Sequence, residues 1–125
     1  MLRSFFDWLF RRKRGVEVRG MSSAEAYGFR NEAERRLGMR WRGRYVLIRA
    51  TPGEVMSNHP PWLGRDFRGE GIATGLWSPG RITYYTTNNQ VRPETGVHEW
   101  AHEILHTNKV PPADHHRIMR EHGIP

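Results

Sequence analysis

Apolar residues recur along this chain with two different periods. Ala26, Phe29, Ala33 and Leu37 are spaced by three or four residues, the repeat of one helix face. Ser22 and Glu25 stand before them in capping-box spacing, and Gly38 follows them, so the pattern predicts a helix from Ser22 to about Leu37. Tyr45-Val46-Leu47-Ile48 reads as a strand core within Trp41–Thr51, and Pro52 closes it because proline cannot donate to a sheet ladder. Ile72–Trp77, Ser78-Pro79-Gly80 and Arg81–Thr87 read as a β-hairpin turned at Pro79-Gly80. A helix is predicted from about Glu94 to Thr107. Beyond the Pro111-Pro112 break a short one spans His115 to Glu121, N-capped by Asp114.

Two stretches read less clearly. Leu2, Phe5, Phe6, Leu9 and Phe10 form a helical stripe followed by Arg11-Arg12-Lys13-Arg14, and Gly15 and Gly20 flank an expected connector. Residues 53–71 are rich in Gly, Pro and Asn with weak periodicity. That is long for a structureless loop in a small domain, so a functional segment or a hidden short element is expected. The chain thus divides into a basic amphipathic arm, 1–20, and one domain, 21–125. The class is α+β, with an antiparallel or mixed sheet of about three strands packed on the 94–107 helix, an N-terminal helix and a short C-terminal one.

Composition narrows the chemistry. The 125 residues contain no cysteine, which removes disulfides, thiolate ligands and Cys nucleophiles and leaves His, Asp and Glu as metal ligands. Residues 1–44 hold twelve Arg or Lys against five acids and residues 45–125 hold eight against eight, so the whole +7 net charge belongs to the first third. That third can favour an anionic partner, a nucleic acid or a membrane surface, or be an Arg-rich solvated face. Trp41, Trp62 and Trp77 could stack on bases but are also natural core residues. The basic cluster follows the apolar stretch, the reverse of a secretory leader, so a cytoplasmic location is expected, extended to peripheral attachment at a membrane or within a larger assembly.

His98-Glu99-Trp100-Ala101-His102 is an HExxH sequence inside the predicted 94–107 helix. Residues four apart share a helix face with Cβ atoms roughly 5–6 Å apart, so both imidazoles can reach one Zn²⁺. Glu99 then lies near the ion without ligating it, placed to take a proton from water. Flanking residues are mostly uncharged, and six of the seven histidines fall at or after position 98.

With its preceding strand, the segment from Gly80-Arg81-Ile82-Thr83-Tyr84-Tyr85 to Val97-His98-Glu99-Trp100-Ala101-His102-Glu103-Ile104-Leu105-His106 resembles the zincin metallopeptidases. It is most similar to the compact ImmA/IrrE-type peptidases, with the SprT-like peptidases next. The resemblance implies a minimal zincin whose edge strand, here Arg81–Thr87, holds extended substrate, and a zinc-dependent peptidase acting on peptide or protein. One departure is Glu103, charged where zincins usually carry an uncharged residue. Another is a downstream acidic helix that is shortened or missing.

A catalytic zinc commonly takes a third protein ligand. His106 continues the spacing but lies about 12 Å along the axis from His98 and roughly 80° around it on a straight helix. The Pro111-Pro112 break lets the chain return, which favours His115 or His116, with Glu121 and Asp114 as alternatives. Tyr84 or Tyr85 could supply an oxyanion donor, since alternate strand residues face opposite ways; Tyr85 is the residue assigned here. Two other functions fit the same residues. One is a non-catalytic, metal-stabilised component of a larger assembly, and the other is a nucleic-acid or membrane adaptor acting through the basic third.

Overall fold

The computed structural model describes residues 14–53 and 74–125. The amphipathic stripe of 2–10 and most of the Gly/Pro-rich segment lie outside them. Chain order is β1 (Gly15–Arg19), α1 (Ser23–Leu37), β2 (Tyr45–Pro52), β3 (Gly75–Ser78), β4 (Arg81–Thr86), α2 (Pro93–Thr107) and α3 (Pro112–Glu121). The fold is α+β, with three helices and a four-stranded mixed sheet among the described residues. None of these helices is long and apolar enough to cross a membrane.

α1 follows its sequence pattern closely. The Ser22 hydroxyl accepts from the Glu25 N–H at 3.1 Å, and Gly38 ends the helix in the left-handed region at φ 66°. Its buried residues are Ala26, Phe29, Ala33 and Leu37. β1 is a departure. Gly15–Arg19, expected as a connector in the basic arm, pairs in parallel with β2, so the sheet reaches into the segment assigned to the arm. Val16 and Val18 alternate with polar residues in a run of only five, too short for periodicity to separate a strand from a loop.

The sheet order is β1-β2-β4-β3, with β1, β2 and β4 parallel and β3 antiparallel to β4. β4 is therefore interior. The edge position expected of Arg81–Thr87 is taken instead by β3, because the hairpin folds its first strand outward while β4 pairs with β2. Asn88 and Asn89, at φ 53° and 61°, make a tight reversal after β4 in which Thr87 and Gln90 exchange both main-chain hydrogen bonds. Asparagine tolerates that left-handed geometry better than other non-glycine residues.

Val46 and Ile48 of β2 and Ile82 and Tyr84 of β4 are fully buried on the sheet face that meets the helices. The Phe29 ring of α1 meets Tyr84 edge-on, and Gly96 of α2 lets that ring press on the helix backbone. α2 is buried almost all round, including Val97, Trp100, Ala101, Ile104 and Leu105. It starts at Pro93, a residue suited to the first helical turn. α3 starts at Pro112, earlier than the expected His115, so Asp114 lies in its first turn instead of capping it.

Candidate metal centre

One helical turn separates His98 from His102, and their Nε2 atoms stand 3.2 Å apart. α3 returns across α2 and adds His116. The nearest nitrogens of these three imidazoles all lie within 4.8 Å of one another. The set fits a metal ion by donor chemistry and by spacing. Imidazole nitrogens about 2.0–2.1 Å from a tetrahedral Zn²⁺ sit roughly 3.3 Å from each other. His98 and His102 are half-buried and His116 is exposed, which leaves one side of the cluster open.

Burial favours the neutral imidazole, the form that donates a lone pair. It lowers His98, against an opposing hydrogen bond from its Nδ1 to the Pro125 main-chain oxygen at 2.8 Å. His102 is driven down to about 3, by burial first and then by the neighbouring His98, His116 and His115.

Glu99 is buried on the same helix, and burial pushes its carboxyl up to about 8. Among the described residues no donor meets it. It lines a cleft of about 370 Å³ together with Gly75, Arg92, Thr95, His98 and Pro125. Gly75, on edge strand β3, makes that proximity possible: a Cβ there would stand 2.7 Å from Glu99 Oε2. The cleft therefore joins one imidazole of the cluster, a buried carboxyl group and a strand edge.

Glu103, the departure noted in the sequence, has a structural role. Its Oε2 accepts from Trp41 Nε1 at 2.9 Å, and its Oε1 accepts from Trp77 Nε1 at 3.1 Å and from the Gly80 N–H at 2.9 Å. It ties the β3–β4 hairpin to α2. Trp77, so held, stacks on the His102 ring with centroids 5.2 Å apart and planes 14° apart.

Other expected site residues fall elsewhere. His115, proposed as a ligand, is fully buried with both ring nitrogens engaged: Nε2 is 2.9 Å from the Val110 oxygen and Nδ1 is 2.9 Å from His102 Nδ1. Asp114 and Glu121 pair with Arg117 on the exposed side of α3. His106 is exposed beside Trp77. Tyr84 faces the helices, but its hydroxyl is buried and donates to the Gly96 oxygen at 2.8 Å. Strand alternation turns Tyr85 to the opposite face of the sheet, away from the histidines, so it cannot act as the assigned oxyanion donor. Gly75, Arg92 and Pro125 carry no sequence signal that would mark them as cleft residues.

Comparison with protein-family models, with curated proteins and with solved structures finds no match to this chain.

Proposed function

We propose that this protein is a zinc-dependent metallohydrolase acting on peptide bonds, organised as a minimal zincin. One observation carries the reading: three imidazoles converge beside a buried carboxyl group, and His98 and Glu99 open on one cleft. His98, His102 and His116 would hold the ion. When bound, Zn²⁺ supplies Lewis acidity, acidifying water and polarising a carbonyl group.

The chain's own residues do the rest. Glu99 takes a proton from water as it attacks the scissile carbonyl and returns it to the leaving amine. It does so in its ionised form, which burial disfavours and a neighbouring cation would restore, and among the described residues no hydrogen-bond donor ties its oxygens down. β3 offers the main-chain groups of its outer edge to an extended peptide, and Gly75 brings that edge against Glu99. Arg92 adds a cation to the cleft wall.

Metal analysis of the purified chain, native and His98→Ala, tests the ion, and cleavage of casein tests the chemistry. The expected result is one zinc per native chain, none in the variant, and casein cleavage only by the native form. A native chain that takes up no zinc would overturn the reading. Zinc uptake without cleavage would leave the ion a purely structural role.

A further inference from the structure

A buried histidine must satisfy two ring nitrogens, and His115 does so with two different partners. Its Nε2 lies 2.9 Å from the Val110 carbonyl oxygen. A carbonyl only accepts, so Nε2 carries a proton. Its Nδ1 lies 2.9 Å from His102 Nδ1, and one of those two nitrogens must donate to the other.

The direction of that bond is set by the job of His102. Its Nε2 faces His98 Nε2 at 3.2 Å within the three-imidazole cluster, and a ligating nitrogen offers a lone pair. The proton of a neutral His102 ring then sits on Nδ1, and His115 Nδ1 accepts it. The hydrogen bonds run in one sense, His102 Nδ1–H to His115 Nδ1 and His115 Nε2–H to the Val110 oxygen.

The far end of this relay is anchored. The Val110 N–H donates to the Leu105 oxygen at 3.0 Å, after Lys109 turns the chain through the left-handed region at φ 65°. Trp77 packs against both rings, 5.2 Å from His102 and 5.4 Å from His115 between centroids. The relay therefore joins the turn after α2, the first half of α3 and the ligand on α2.

We propose that His115 is a positioning residue for metal binding: it accepts the Nδ1 proton of His102 and so fixes the tautomer and ring angle that aim His102 Nε2 at the ion. This rests on the zinc reading given under Proposed function. The signal in the sequence is the His115-His116 pair itself, two adjacent imidazoles on a helix of which one faces the cluster and one faces the core.

Nitrogen-15 NMR of the zinc-loaded full chain reads the relay directly. The expected spectrum has a protonated Nδ1 on His102, an unprotonated Nδ1 on His115 and a scalar coupling between the two across the hydrogen bond. Zinc affinity by chelator competition should fall about 10- to 100-fold in His115→Leu, the usual cost of losing an outer-sphere partner. A proton on His115 Nδ1, or a folded His115→Leu with native zinc affinity, would overturn the assignment and leave the metal site standing. Should that variant fail to fold, the native spectrum still decides. A native chain that binds no zinc would overturn the relay together with the metal reading.

Discussion

Glu99 and Glu103 stand one turn apart on α2, are both buried, and live in opposite surroundings. Glu103 receives three N–H donors, from Trp41, Trp77 and Gly80, and binds the β3–β4 hairpin to the helix. Glu99 receives none among the described residues, faces a cleft and has its carboxyl pushed up to about 8 by burial alone. A buried carboxylate that is fully hydrogen-bonded holds a structure together; one left without donors costs stability and is free to exchange a proton. The difference lies in what the sheet brings to each turn of the helix. At Glu103 the β3–β4 hairpin brings the Trp77 indole N–H and the Gly80 amide, to which the connector before β2 adds the Trp41 indole, and at Glu99 the sheet brings Gly75, a residue with no side chain.

The sharpest way to break this contrast is Glu99→Gln. The zinc-loaded variant should keep its metal and its fold while casein hydrolysis falls about 10²- to 10⁴-fold, the usual worth of a general base. Full activity in that variant would remove Glu99 from the chemistry. Glu103→Ala should do the reverse. It strands three donors inside the protein and should lower the unfolding free energy by about 3 kcal/mol or more in urea titrations. A variant as stable as the native chain would show that the hairpin is held some other way.

The third effect is a pH dependence of the metal-free protein. Glu99 is raised from 4.5 to about 8, so the native state holds a proton that the unfolded chain releases. Stability from this group is complete below about pH 4.5 and is lost as pH rises towards 8. His102, lowered to about 3, acts in the opposite sense, losing stability as pH falls from 6.5. Above pH 6.5 the Glu99 slope therefore stands clear of His102, at up to about 1.4 kcal/mol per pH unit. Thermal melts should show that slope in the native sequence and a flatter line in Glu99→Gln; equal slopes would place the proton elsewhere.

The smallest effect concerns a half-buried carboxylate on the surface of α1, paired with arginines. Glu32 is held down to about 2, chiefly by its hydrogen bonds to Arg35 and then Arg36. Its contribution is present above about pH 4.5 and is lost as pH falls towards 2. Solvent screens such pairs, so Glu32→Gln should move the neutral-pH melting midpoint least of these changes. A shift as large as that of Glu103→Ala would mean that surface and buried carboxylates weigh alike here, and the contrast on α2 would lose its physical basis.

Local physics made part of this molecule legible in advance. The capping serine, the Ala26–Leu37 stripe and Gly38 delimit α1 because each acts within a few residues of chain. The Pro79-Gly80 turn specifies its hairpin for the same reason, and the four-residue spacing of His98 and His102 needs only a helix to bring their nitrogens together. Long-range packing decided the remainder. Which of two adjacent histidines joined the cluster depended on how α3 crosses α2, a matter of tertiary contact that the local spacing of His115 and His116 leaves open. β1 became a strand because β2 was there to pair with it, and the hairpin's pairing to β2 put β3 rather than β4 at the edge. Tyr85 faced away and Gly75 became a cleft residue through the same register. A side chain's type and its near neighbours are written in the chain, whereas the partner it meets across a sheet or a helix crossing exists only once the whole fold has closed around it.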